Sequence, residues 1–225
     1  MQDYHVINSH TVKNNTPIPN IKDSISALAG SFIFSTFDIW WGYNNICIRD
    51  GDQWKAAFKT CFGIWEPMVM YFGLTNSPAT FQTMMDHIFC PLIDWHALQG
   101  TIICVYMDDI IIGTSSTIED HVAVVHDTLN LLVEHDLFVK LSKCCFHVSH
   151  VNYLEVILEK GVTCMDPVKI SGIKDWPMPT KVKDVCSFLG FCNFYHQFIH
   201  SFTHLACPLN LLMHKNATWQ WGPQE

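Results

Sequence analysis

Two apolar, β-branched runs, Thr101 to Tyr106 and Ile110 to Ile112, are interrupted only by Met107-Asp108-Asp109. Runs this short and this apolar read as strands, and the polar break between them reads as a tight hairpin with acids at its tip. Two adjacent carboxylates repel each other and cost stability unless a cation or solvent compensates them. A third acid, Asp38, ends another apolar run at Phe37-Asp38-Ile39. Three convergent carboxylates would suit a pair of hard divalent cations, Mg²⁺ by preference with Mn²⁺ as substitute, of the kind that serve phosphoryl transfer. The same residues also suit a solvated turn and an ordinary strand end, and spacing alone leaves both readings open.

The rest of the chain predicts an α+β fold. Asn20 caps a short helix carrying Ile21, Ile25 and Leu28 on one face, ended by Gly30. Phe32 to Asp38 and Tyr43 to Ile48 are β-like runs, and 56–72 holds further strands broken at Gly63 and Pro67. Ser77-Pro78 predicts a helix start with Ser77 as cap, followed by Phe81, Met84, Met85 and Ile88 along one side. Ser116-Thr117-Ile118-Glu119 predicts a capping box, opening a helix whose apolar face is Val122, Val125, Leu129 and Leu132. Two short strands are expected around Phe146 to Leu158.

After Gly161 the pattern turns helical. Asp166-Pro167 opens a short helix, Trp176-Pro177-Met178-Pro179 breaks it, and a longer helix presents Val185, Phe188, Leu189, Cys192, Tyr195 and Ile199. The expected organisation is therefore a mixed α+β domain over 1–160 and a small helical part over 161–225.

Composition narrows the function classes. With 49% hydrophobic and 15% charged residues in 225, the chain has material for a real core. No apolar stretch reaches membrane-spanning length, and Met1-Gln2-Asp3-Tyr4 lacks the basic and apolar parts of a signal peptide. An intracellular protein, cytoplasmic or nuclear and not secreted, is the expectation. The ten cysteines form no Cys-x-x-Cys pair and read as small buried hydrophobes. The thirteen histidines lack partners at metal-site spacing. A net charge of −8 leaves few cations for phosphate contacts, so any basic residues would have to concentrate in one groove.

Ordered matches along nearly the whole chain then identify a family. Tyr106-Met107-Asp108-Asp109 resembles the reverse-transcriptase box of Tyr, an apolar residue and two Asp. Around it, in the family's order, stand Asn8-Ser9-His10-Thr11-Val12-Lys13, Pro17-Ile18-Pro19 and Phe34-Ser35-Thr36-Phe37-Asp38. Phe72-Gly73-Leu74-Thr75-Asn76-Ser77-Pro78-Ala79-Thr80-Phe81-Gln82, Lys140-Leu141-Ser142-Lys143-Cys144, Trp176-Pro177-Met178-Pro179, Phe188-Leu189-Gly190 and Pro208-Leu209 follow. The set is similar to polymerases of gypsy-class long-terminal-repeat retrotransposons.

The resemblance implies a right-hand polymerase, with fingers and palm in 1–160 and a thumb in 161–225. It implies two Mg²⁺ ions on Asp38, Asp108 and Asp109, with the Ile39 carbonyl assisting. Tyr43, Phe72 and Met107 are the implied nucleotide-pocket and primer-end residues. The implied partners are an RNA or DNA template with its primer and deoxynucleoside triphosphates. Further fingers strands before Met1, and connection, ribonuclease H and integrase regions after Trp221, are expected on the same ground.

Several positions depart from the pattern. Trp40-Trp41 stand where the family usually has Arg-Ser, and Tyr71 where it has proline. His5 and Gln197 replace arginines. Glu155-Val156 replace a Gly-His pair, which predicts a strained turn. Two further readings follow from these departures: an inactive retroelement relic, or a module that binds nucleic acid without chemistry.

Overall fold

A computed structural model describes residues 3–214 and 219–222. In chain order it places α1 (His5–His10), α2 (Ile21–Leu28), β1 (Ile33–Asp38), β2 (Phe58–Thr60), β3 (Gly63–Trp65), α3 (Ser77–Ala97), β4 (Thr101–Tyr106), β5 (Asp109–Thr114) and α4 (Ile118–Glu134). Then follow β6 (Cys145–Val148), β7 (His150–Tyr153), β8 (Val156–Glu159), β9 (Val162–Met165), α5 (Pro167–Lys174), α6 (Val182–Phe194) and α7 (Phe202–Leu212). The chain divides into two compact units, 1–154 with 158–163, and 155–157 with 164–225. None of the described helices is long and apolar enough to cross a membrane.

The first unit is built on a four-stranded antiparallel sheet in the order β4-β5-β1-β6. Its central strand β5 is apolar on both faces, and Ile110, Ile111 and Ile112 are fully buried. α3 and α4 cover the sheet, contributing Phe81, Met85, Phe89, Val124, Val125 and Leu132 to one core with Phe37, Ile39 and Val105. In the second unit α6 and α7 pack Val185 and Leu189 against Ala206 and Leu209.

The hairpin, α2 with its Asn20 cap, and α5 with its Asp166 cap form where the sequence predicts them. Other expectations are corrected. Tyr43 to Ile48 is not a strand: Trp41 turns left-handed at φ 52° and Gly42–Asn45 coils into a 3₁₀ turn, leaving one bridge from Cys47 to Val69. Asn76, not Ser77, is the residue before α3, and the Ser77 hydroxyl instead donates to the Tyr71 carbonyl. The capping box is Thr117 with Asp120, one residue later than Ser116 with Glu119. Three short strands, β6, β7 and β8, not two, occupy the stretch around Phe146 to Leu158, and β9 follows them. Most cysteines are exposed; Cys192 is buried, while Cys104 and Cys144 are half-buried.

The face of α4 is also rotated from its apolar pattern. Val122 is exposed, and His121 and Thr128 are buried beside Val124, Val125 and Leu132. His121 is tolerated because its ring is bonded on both sides. Ser35 Oγ accepts the His147 N–H at 3.0 Å and lies 2.8 Å from His121 Nε2. Thr114 Oγ1 lies 2.8 Å from Nδ1, so each hydroxyl can donate to or accept from the ring nitrogen it faces.

Burial, and then the neighbouring His147, push the His121 pKa down to about 4. A depressed histidine binds protons better when unfolded, so its stabilisation is complete above pH ~6.5 and is lost as pH falls through about 4. The expected loss is about 2 kcal/mol between those limits. Urea unfolding at stepped pH checks it, and a His121→Gln protein showing the same loss would rule this source out.

Candidate active site

The hairpin tip is the site. β4 and β5 pair in register from Thr101 with Thr114 to Tyr106 with Asp109, so only Met107 and Asp108 span the turn. A two-residue turn needs left-handed backbone, and Met107 supplies it at φ 52°. On its other side β5 pairs with β1, which sets Asp38 directly opposite Asp109. Beyond that pair the Ile39 N–H donates to the Asp108 carbonyl at 2.9 Å. Register alone therefore brings Asp38, Asp108 and Asp109 to one edge of the sheet.

The electrostatics match that crowding. Burial, then the Asp108 and Asp38 charges, push the Asp109 carboxyl up to about 6 against a weaker opposing pull from Lys143. Lys143 donates to Asp38 Oδ2 at 2.8 Å. The bond to Asp38, reinforced by that carboxylate's charge, raises the lysine's own pKa. One ammonium thus stands among three carboxylates, and the edge keeps an excess of negative charge. Oxygen donors in this number suit hard divalent cations. The fit is one of chemistry and charge only. Among the described residues no three His, Cys, Asp or Glu side chains are gathered as a ready metal cage.

Tyr43 and Phe72 close one side. Their rings meet edge-on at 4.8 Å, and Tyr43 also meets Phe81 at 5.7 Å. The Tyr43 hydroxyl lies 3.6 Å from Met107 Sδ. Burial and then Asp108 raise its pKa, which keeps the phenol neutral. Gly42 lies close against the ring of Phe81: a Cβ there would stand 3.0 Å from Phe81 Cζ, and the ring would have to give way by a few tenths of an ångström. Ile39 itself is a core residue and offers the site only its backbone.

Gln82 and Lys143 lie within the matched motifs, but the sequence alone assigns them no role. Gln82 is fully buried beneath the turn. Its Oε1 accepts the Met107 N–H at 2.7 Å, and its Nε2 donates to Asp86 Oδ1 and the Val105 carbonyl at 2.7 and 3.2 Å. A lone amide between Phe81 and Met85 on an apolar helix face was the available signal. Lys143 gave no comparable one, since its partner Asp38 is 105 residues away.

The departures are also placed. Glu155 adopts φ 66° after Leu154 at φ 48°, the strained turn expected from loss of glycine. Its carboxylate accepts bonds from Lys169 and Tyr195 at 3.0 and 2.9 Å, which hold its pKa low. Tyr71 packs on Tyr4 at 5.3 Å.

The reverse transcriptase (RNA-dependent DNA polymerase) family matches residues 1–191. The chain belongs to this family. It is 35% identical over 225 residues to the Transposon Tf2-3 polyprotein of Schizosaccharomyces pombe, and 34% identical to the Tf2-7 polyprotein of the same organism. Each alignment covers 99% of this chain and 16% of the relative, so the chain spans about a sixth of those polyproteins. The fold is that of a foamy viral protease-reverse transcriptase in complex with RNA/DNA hybrid, at TM-score 0.82 and 22% identity over 99% of this chain and 29% of that one. A second such structure, in complex with double-stranded DNA, gives TM-score 0.85 at 22% identity over 99% and 38% of the two chains. The reverse transcriptase domain thus has the α+β right-hand polymerase architecture.

Proposed function

We propose that this reverse transcriptase domain extends a primer 3′-hydroxyl with deoxynucleotides on an RNA or DNA template. The observation that supports it is the register placing Asp38, Asp108 and Asp109 on one sheet edge with unbalanced negative charge. In the proposed reaction the primer oxygen bonds to the α-phosphorus, the bond to the β-phosphate breaks and pyrophosphate leaves. Asp38, Asp108 and Asp109, with the Ile39 carbonyl, would hold two Mg²⁺ ions, or Mn²⁺. Bound there, such ions supply charge neutralisation and activation of the attacking hydroxyl. The chain's own residues do the rest. Gln82 fixes the turn, and Lys143 steadies Asp38. Tyr43 and Phe72 wall the space for the nucleotide, with Met107 facing the primer end. Residues 1–160 serve as fingers and palm and 161–225 as thumb.

The test is primer extension on an oligo(dT)-primed RNA template in millimolar Mg²⁺, comparing the chain with Asp108→Asn. Extension should fall at least about 10²–10³-fold in the variant. A specific observation favours a second reading, binding without chemistry: the Lys143 ammonium bonds Asp38 Oδ2 at 2.8 Å and competes for a carboxylate that a cation would use. No extension from a folded wild-type chain that still binds RNA–DNA hybrid in a salt-sensitive way would select that reading instead.

A further inference from the structure

β1 ends at Asp38, but pairing along its edge continues on both sides of that residue. Ahead of it Ile39 bridges Val139, and the Trp40 N–H donates to the Phe138 carbonyl at 2.7 Å. Behind it Thr36 pairs with Cys145, the first residue of β6. Between these two points β1 advances by Phe37 and Asp38 alone, while the facing chain runs through all of 140–144. The surplus folds into a 3₁₀ turn over Leu141–Lys143. The Lys143 N–H donates to the Lys140 carbonyl at 2.8 Å, and the Cys144 N–H to the Leu141 carbonyl at 3.2 Å. The foot of the turn is tied to Asp38 itself, whose carbonyl accepts the Lys140 N–H at 2.9 Å. Val139 and Cys144 pack on the core at its two ends.

This turn stands Lys143 over the carboxylate it flanks, with Nζ 2.8 Å from Asp38 Oδ2. Backbone pairing thus places the ammonium, not the chance reach of a surface lysine. Among the described residues no other ammonium or guanidinium pairs with Asp38, Asp108 or Asp109. The two partners are unequally buried. The Asp38 side chain is 16% exposed and that of Lys143 57%, so the ammonium reaches in from solvent and can swing back without opening the core. A divalent cation cannot simply join it there. An ammonium proton and a metal ion roughly 2.0–2.1 Å from oxygen cannot share one lone pair, and adjacent like charges repel.

We infer that Lys143 is an internal counter-ion for the carboxylate edge, seated on Asp38 while the domain is metal-free and displaced from it when a divalent cation binds. The inference rests on the reading above that this edge holds Mg²⁺ or Mn²⁺. Loading is then an exchange of one cation for another. The ammonium holds the crowded edge together before metal arrives, and the same contact weakens metal affinity because it has to be given up. These are two views of one free energy. If the contact is fully lost on loading, the stability Lys143 gives the metal-free protein equals the factor by which its removal tightens metal binding.

The test uses the full chain with Mn²⁺ as the probe. Binding is read from the paramagnetic resonance of the free ion, and stability from urea unfolding in chelator and in saturating Mn²⁺. Lys143→Met keeps the stem and removes the charge, and because the side chain lies largely in water the variant should fold, with circular dichroism as the check. In chelator its urea midpoint should fall by about 0.2–0.5 M. Mn²⁺ should bind it about 3–10-fold more tightly. At saturating Mn²⁺ the gap in midpoint should close. Lys143→Arg retains a cation and should stay near the wild type in all three readings. Lys143→Gln, equally uncharged, repeats the comparison should the Met protein fold poorly.

Mn²⁺ affinity that is unchanged or weaker in the uncharged variants overturns the exchange, as does equal stability in chelator. A midpoint gap that persists at saturating Mn²⁺ overturns it too, because the ammonium would then remain on Asp38 beside the metal. So does a failure of wild type and variants alike to bind Mn²⁺. Primer extension in the same samples keeps the two readings apart. Extension by a wild type whose Mn²⁺ affinity ignores Lys143 sinks only the exchange, and Lys143-dependent Mn²⁺ affinity without extension from any sample sinks only the polymerase.

Discussion

Asp109→Asn is expected to leave the metal-free protein more stable at neutral pH while removing primer extension. Asp109 faces Asp38 across the β1–β5 pair and adjoins Asp108, and its carboxyl is pushed up to about 6 from an ordinary value of 3.8. A raised carboxyl binds protons better in the folded state. Its contribution is favourable below pH ~4 and is lost as pH rises through about 6. Above that, ionised Asp109 opposes folding by about 1–2 kcal/mol once solvent screening of this partly exposed group is allowed for. Asparagine removes that penalty. Urea unfolding should show the variant ahead by this amount at neutral pH and level with wild type near pH 4. Millimolar Mg²⁺ should stabilise the wild type by mass action and the variant much less, while extension falls at least about 10²–10³-fold. Because His121 loses stabilisation in the acid direction over an overlapping window, the two proteins are compared at each pH, not along one curve. Equal stability at neutral pH, or equal Mg²⁺ response, would show that the three carboxylates do not act as one charged group.

The parts of this molecule that were legible in the sequence share a property: their signal is local. The hairpin shows because two acids interrupt runs that are otherwise isoleucine and valine, and β pairing then carries Asp109 to Asp38 without further instruction. α2 and α5 show because Asn20 and Asp166 cap their first turns. The misses are places where a distant partner decides. An apolarity pattern puts Val122 inside and His121 outside, yet His121 goes in because Ser35 and Thr114 wait for both of its nitrogens. Tyr43 to Ile48 has strand composition, but the left-handed turn at Trp41 takes it out of line with β1. The exposed cysteines follow the same logic: Cys61 lies beside the β2–β3 turn and Cys90 on the outer side of α3, where no apolar face reaches them. At the site, the carboxylates were readable and their supports were not. Lys143 reaches Asp38 from a 3₁₀ turn, and Gln82 reaches Met107 from a helix.

Gln82→Leu is the substitution expected to cost most in stability, about 2–4 kcal/mol. Both protons of the Gln82 amide and its oxygen are engaged. Its oxygen takes the Met107 N–H, and its two protons go to Asp86 and to the Val105 carbonyl. Leucine has nearly the same volume and fills the space, so the loss is not one of packing. It comes from leaving the half-buried Met107 N–H without its partner and taking the side-chain donor from the Val105 carbonyl. Met107 is also the left-handed residue of the turn, and the bond to Gln82 helps hold that conformation against its intrinsic cost. Gln82→Glu separates the two roles. Glutamate can still accept from Met107, but it cannot donate and it adds a charge beside Asp86, so it should also destabilise, and less so at acid pH. Gln82→Leu should selectively lose hydrogen-exchange protection at the Met107 amide while Gln82→Glu keeps it, and in both variants extension should fall more than global unfolding explains, because the turn carries Asp108 and Asp109. Gln82→Leu losing less than about 0.5 kcal/mol with the Met107 amide still protected would mean that the strands alone hold the turn, and that the amide beneath it is incidental.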